Sequence, residues 1–177
     1  MFLPTLFQLF KRLFLLTQGF FEICEKGIIS GHPLTNCRFV LEDGMHHLVD
    51  SSELAFKLAT QYAVREVFPK LSPYILEPVM TVNVNAPTEY QGSVTALLNK
   101  RKGSIVDSEV KNDYVEFVAE VPLNEMFGFS TDLRSISQGK GEFSMEYLKH
   151  ARALPMVQQR LVEQYEKKRA AELASKK

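Results

Sequence analysis

The sequence predicts an α+β chain: an incomplete α/β half-domain, then a ferredoxin-like βαββαβ unit, then a C-terminal helix. Two observations predict it. From Glu77 onward the apolar pattern switches between periods of two and 3.6 residues in the order strand, helix, strand, strand, helix, strand, which is the split βαβ arrangement. Before Glu77 the pattern yields two helices and one lone strand, and a lone strand must find partners for its backbone groups. The expected divisions are residues 1–18, 19–75, 76–153 and 154–177.

Residues 1–18 are mostly apolar, interrupted by Lys11 and Arg12, and no acid precedes Glu22. Two cations in mid-span and short apolar runs argue against a transmembrane helix. A secretory signal puts its charge first, and a mitochondrial presequence is richer in Arg and Ser, so the segment stands apart as one without a recognised role. Gly19 to Lys26 reads as a short helix burying Phe20, Ile23 and Cys24 and ending at Gly27, and Thr35 to Leu41 reads as a strand. Asp50 is placed to cap the next helix, with Glu53 reaching back in a capping box. Leu54, Leu58 and Tyr62 recur at helical spacing to about Phe68, where Pro69 and Pro73 stop the helix.

In the second unit, Met80, Val82 and Val84 alternate with Thr81, Asn83 and Asn85 as a half-buried strand. Thr88 and Gln91 suggest a second capping box before a helix carrying Val94, Leu97 and Leu98, which Gly103 ends. Ser104 to Asp107 and Tyr114 to Val121 form a hairpin around Lys111-Asn112-Asp113. Pro122 opens a helix through Leu123, Met126, Phe127 and Leu133, whose Met-Phe-Gly-Phe stripe reads as core packing. Gly139 and Gly141 lead into a last strand with Phe143, Met145 and Tyr147 on one face, and the segment from Pro155 to about Ser175 is a helix with a basic end.

Twenty-one basic and 21 acidic side chains in 177 residues cancel, so no overall field draws nucleic acid, and any RNA contact must come from local groups. Cys24 and Cys37 have neither zinc-type nor disulfide-framework spacing, which points to a reducing compartment. No Walker-type phosphate loop occurs, so no nucleotide chemistry and no cofactor are expected of these residues.

The adjacent His46 and His47, on a loop opened by Gly44 at a helix start, are the leading site candidates. A metal site would need His32 or Asp50 to complete it, and no i, i+4 histidine pair is present, so no metal is expected. No Ser or Cys sits in a nucleophile elbow, and no catalytic residue is assigned. Imidazole stacks on bases and donates to phosphate or 2′-hydroxyl oxygens, which favours RNA contact from a rigid helix end. Lys100, Arg101 and Lys102 at a helix C-terminus either complement its dipole or bind phosphate.

Together with Gly31-His32-Pro33-Leu34 and Arg38-Phe39-Val40-Leu41, the histidine loop resembles the tip of the fourth domain of translation elongation factor G. Leu76-Glu77-Pro78-Val79-Met80, Met126 through Ser135 and Gly139 through Tyr147 extend the resemblance, which covers about Gly19 to Leu154. The paired histidines and the Gly-Lys-Gly-Glu run look more like mitochondrial members than bacterial ones. The resemblance implies a half-domain of the fourth-domain type (ribosomal protein S5 domain 2-like), followed by the ferredoxin-like fifth domain. It implies a monomer of the mitochondrial matrix that binds no membrane and engages the mitochondrial ribosome, meeting ribosomal RNA, tRNA and mRNA at the decoding site. GTP and Mg would belong to the full-length factor. His47 aligns with the tip histidine, Leu48 stands where bacterial members often carry Asp, and Ser130, Thr131 and Arg134 would face large-subunit RNA. A ribosome-recycling paralogue and a stand-alone ferredoxin-like interaction module are the alternative readings.

Overall fold

The computed structural model describes residues 3–45, 47 and 51–175, and the side chains from residue 10 onward within that range. Contacts divide the chain into two compact units, one of residues 1–74 with 154–177 and the other of residues 75–153.

In the first unit, α1 (Leu3–Lys26) is one helix of 24 residues. The short helix expected from Gly19 is therefore the last third of a longer one, because Pro4 sits in the first turn, where proline is tolerated, and no later Pro or Gly precedes Gly19. It packs on α2 (Glu53–Val67) with Leu15 and Ile23 buried. Gly19 permits the close approach, since a Cβ there would stand 2.6 Å from the Lys57 carbonyl oxygen. Across the same contact Lys57 Nζ and Gln61 Nε2 donate to the two oxygens of Glu22, at 3.0 and 2.9 Å. Gly27 adopts φ +57 as α1 ends, where any Cβ would collide with the His32 carbonyl.

Three expectations for this unit are corrected. Thr35 to Leu41 forms no strand; among the described residues of this unit no second strand lies alongside to accept its ladder bonds, although Phe20 stacks on Phe39 at 5.2 Å between centroids. The cap of α2 is Ser52, whose hydroxyl accepts the Ala55 N–H at 3.1 Å, and Asp50 lies outside the described residues. Glu53, expected to reach back over the cap, instead pairs with Lys11. Of the Leu54, Leu58 and Tyr62 stripe the first and last are exposed and Leu58 is half-buried, and Thr60 is the buried residue of α2. Beyond α2 the chain tightens into a 3-10 turn, Phe68–Leu71, that accommodates Pro69 in its first turn. Helix α5 (Pro155–Ala174) packs with this unit, its Tyr165 ring lying where a side chain at Gly31 would be.

The second unit is a four-stranded antiparallel sheet in the order β2-β3-β1-β4, formed by β1 (Leu76–Pro87), β2 (Ser104–Lys111), β3 (Tyr114–Pro122) and β4 (Glu142–Arg152). Helices α3 (Gln91–Lys100) and α4 (Phe129–Ile136) complete the βαββαβ order. Val82 and Val84 of β1 pair with Ala119 and Phe117 of β3 on the helix-covered face. With Val94, Leu98, Phe129 and Leu133 they form the core. The hairpin turns through two residues, Asn112 at φ +56 and Asp113, and β2 runs four residues beyond the expected Asp107 because a bulge at Val106 restores its register.

The sequence-based helix starts are less faithful. No side-chain bond caps α3; the chain enters it through a 3-10 turn, Thr88–Tyr90, in which the Thr88 N–H reaches the Asp113 carbonyl at 2.9 Å. At its end Lys102, not Gly103, takes the left-handed conformation, at φ +56, and the Gly103 N–H closes onto Leu98 O. The helix expected from Pro122 is two pieces: a 3-10 turn, Leu123–Met126, and α4, separated by extended Phe127 and left-handed Gly128 at φ +77. Met126 and Phe129 are buried as the stripe predicts, but Phe127 between them is 74% exposed. At the far end of α4, buried Ser137 accepts the Gly141 N–H at 2.9 Å and donates to Leu133 O at 2.6 Å.

Candidate nucleic-acid interface

The candidate residues fall in two places, one on each unit. On the first unit, Gly44 and Met45 are exposed, and the Gly44 N–H donates to its neighbour's carboxylate, Asp43 Oδ1, at 2.7 Å. A Cβ on Gly44 would meet open space, so glycine is not needed there for room. His46 lies outside the described residues. His47 is exposed and tied to the helix start from both sides: its N–H donates to Ser51 Oγ at 2.8 Å, and its carbonyl accepts the Ser51 N–H at 3.2 Å. Ser52 then caps α2. Ser51 thus ties the His47 backbone to the start of α2 and Ser52 caps that helix, where the sequence points to Asp50 and Glu53 for the cap. His32, considered as a further metal ligand, bonds Ser30 Oγ through Nδ1 at 3.1 Å. Among the described residues no group of three or more His, Cys, Asp or Glu side chains could hold a metal ion.

The other place is the junction of α3 and α4. Lys100 and Lys102 are exposed, with Lys102 Nζ 2.5 Å from Glu125 Oε1. Arg101 turns inward. Its Nη1 donates to the carbonyls of Glu125 and Phe127, both at 2.8 Å, and its Nη2 donates to Asp132 Oδ2 at 2.6 Å. The three candidate cations are therefore not equivalent: one is free to solvent, one is paired, and one is committed to the turn before α4. On α4 itself Thr131 and Arg134 are exposed and Ser130 is half-buried. All three are carried by the helix whose start Arg101 holds.

Phe127 reads as core in the sequence and is exposed, and Glu125, Asp132, Ser51 and Ser52 carry no signal there. Their partners are distant in sequence or, for the serines, lie in a loop too short to show a period. Only Gly128, a glycine in the middle of an apolar stripe, signals the break that exposes Phe127.

Comparison with known proteins follows the same division. Residues 13–71 match the family model "Elongation factor G, domain IV", and residues 74–161 match "Elongation factor G C-terminus". The first match begins ahead of Gly19, within α1. Mitochondrial elongation factor G of Drosophila grimshawi is 51% identical over 160 residues, covering 90% of this chain and 21% of the relative. That of Anopheles gambiae is 52% identical over 149 residues, covering 84% and 20%. A crystal structure of a protein from Thermus thermophilus superposes with a TM-score of 0.74 at 31% identity, over 89% of this chain and 24% of that one. The chain spans about a fifth of the length of these curated relatives. Two matches of one family, in order and through most of the sequence, agree with the helix pair and the antiparallel βαββαβ sheet: the chain belongs to the elongation factor G family, mitochondrial type, and represents its carboxy-terminal part.

Proposed function

We propose that this chain is the ribosome-engaging end of a mitochondrial elongation factor G, acting in the matrix as a monomer on the mitochondrial ribosome. In the whole factor, GTP hydrolysis with Mg on another domain would drive movement of tRNA and mRNA. These residues contribute contacts, not nucleotide chemistry. Gly44, His46 and His47 form the tip that enters the decoding site and occupies space vacated by tRNA. The exposed imidazole of His47, whose backbone is bonded to Ser51, suits that environment, since it stacks on bases and donates to phosphate and 2′-hydroxyl oxygens. Lys100, Ser130, Thr131 and Arg134 form a second contact with large-subunit RNA, in which Lys100 and Arg134 neutralise phosphate and the hydroxyls donate to it.

The observation that carries this reading is the closure of His47 onto Ser51 in a segment matched by the fourth-domain model of the family. These two bonds hold the His47 backbone to the start of α2, which reduces the conformational freedom that His47 loses on binding. Co-sedimentation of the 177-residue chain with mitochondrial ribosomes, at low and moderate salt, tests the reading. Saturable binding that weakens with salt, and weakens further in His46→Ala/His47→Ala and in Arg134→Ala, is expected. A folded chain that does not bind, or binds equally well with both sites removed, refutes it.

A further inference from the structure

Arg101 belongs to a run of three cations that invites a phosphate-binding reading, yet its geometry is that of an internal clamp. A guanidinium has five N–H donors. Both Nη1 donors are taken by the Glu125 and Phe127 carbonyls, and Nη2 meets Asp132 in an ion pair of 2.6 Å. Nε is buried without a hydrogen-bond partner, and only 17% of the side chain is exposed. The two carbonyls flank the place where the chain leaves the 3-10 turn, and Asp132 lies in the first turn of α4. One side chain from the end of α3 thus fixes the far side of a break that Phe127 and left-handed Gly128 would otherwise leave free to hinge. Lys102 reinforces it through the Glu125 carboxylate.

We infer that Arg101 is a positioning residue: it touches no RNA, and it sets the angle at which α4 presents Ser130, Thr131 and Arg134 and the break presents Phe127. Asp132 is its necessary partner. This rests on the proposal that α4 meets RNA, and it reverses the sign of one expectation. Were Arg101 a phosphate contact, removing Asp132 would release a cation and delete a repelling anion, so binding would tighten. As a clamp, losing Asp132 weakens binding much as losing Arg101 does.

The experiment compares the wild-type chain with Arg101→Met, Asp132→Asn, the double variant and Arg134→Ala. Ribosome affinity is measured over a salt series, well below each variant's melting temperature. Amide exchange of residues 127–131 is measured on the same samples without ribosomes. For a clamp, Arg101→Met and Asp132→Asn each weaken binding by about tenfold, as expected when a charge-assisted bond is broken, and the double variant is no worse than either. Neither changes the salt slope, whereas Arg134→Ala reduces it by about one counterion. Both raise exchange at residues 127–131. Tighter binding by Asp132→Asn, or a reduced salt slope in Arg101→Met, overturns the inference in favour of direct contact. Unchanged exchange at residues 127–131 overturns it whatever the ribosome data show. Faster exchange in the clamp variants, combined with indifference of binding to Arg134→Ala, leaves the clamp standing and removes the RNA reading of α4.

Discussion

Arg101 and Asp132 join the end of α3 to the start of α4 through a 2.6 Å ion pair, partly shielded from water. The arginine would otherwise stand beside Lys100 and Lys102 as a third surface cation. The pair turns it into a strut under the helix that carries Thr131 and Arg134. Its energetic weight comes less from the ion pair, whose carboxylate is 39% exposed, than from the two backbone carbonyls that the same guanidinium satisfies.

Arg101→Met is therefore expected to destabilise the sheet unit by about 2–4 kcal/mol, since it strips two carbonyls and a carboxylate of a shared donor at once. Lys102→Met removes only the exposed pair with Glu125 and is expected to cost less than about 1 kcal/mol. Urea unfolding of the two variants checks the contrast, and equal losses would contradict it.

Glycines of the second unit separate by what a methyl group would meet. At Gly141 a Cβ would lie 2.8 Å from Ser137 Oγ and 3.1 Å from Leu133 Cγ, in the bond network that ends α4. Gly141→Ala is expected to lose about 1–3 kcal/mol through overpacking. Gly92 sits in α3 with nothing within 4 Å of that position and an ordinary φ. Gly92→Ala is expected to gain about 0.5–1 kcal/mol from helix propensity and a restricted unfolded chain. Thermal melts of the two variants moving in opposite directions would bear this out.

How far these features can be read from sequence depends on the range of the forces behind them. The alternation of Val82 and Val84 with Asn83 and Asn85 needs only a sheet with one covered face, and it forecasts β1 correctly. Starts of helices fared worse. Thr88 and Gln91 have the residue types of a capping box, but the Asp113 carbonyl, brought across from the hairpin, takes the Thr88 N–H first. Asp50 has the residue type of a cap, but Ser52 supplies it, a choice between neighbours that composition does not decide. The Pro122–Leu133 stripe reads as one helix because Met126 and Phe129 are both buried, and a break with an exposed Phe127 between them keeps both inward. The Arg101–Asp132 pair spans 31 positions and leaves no local trace.

On the outer surface of the second unit, Lys140 Nζ bonds Glu89 Oε1 at 3.1 Å and lies over the Tyr90 ring. The hydrogen bond from Lys140, then that with Tyr90, then the charge of Lys140 lower the Glu89 pKa, while the hydrogen bond with Glu89 and then its charge raise that of Lys140. The signs are opposite. Glu89 contributes stability present above its unfolded pKa and lost as pH falls through its lowered folded value. Lys140 contributes stability present below its unfolded pKa and lost as pH rises through its raised folded value. The pair therefore supports the fold across the neutral range and fails at both extremes. Lys140→Met is expected to move the Glu89 titration upward in NMR, and salt is expected to shrink the difference because both groups face solvent. A Glu89 titration unmoved by the substitution would show that the contact does not persist in solution.

The two units differ in how completely they bury their apolar surface. The second has its own closed core of Val82, Val84, Leu98, Val115, Phe129 and Leu133. In the first, Phe10, Phe14 and Phe21 on α1 and Leu54 and Tyr62 on α2 remain exposed, and Thr35 to Leu41 has no ladder partner among the described residues. Surface of that kind promotes association, because burying it between molecules is favourable by about 25 cal/mol per Å². The segment 75–153 expressed alone is accordingly expected to unfold in one cooperative transition and to remain monomeric by light scattering. The 177-residue chain is expected to self-associate as its concentration rises, and Phe10→Ser/Phe14→Ser to reduce that association without moving the transition of the sheet unit. Light scattering that stays flat for the full chain would show that its exposed aromatic stripe finds cover within a single molecule.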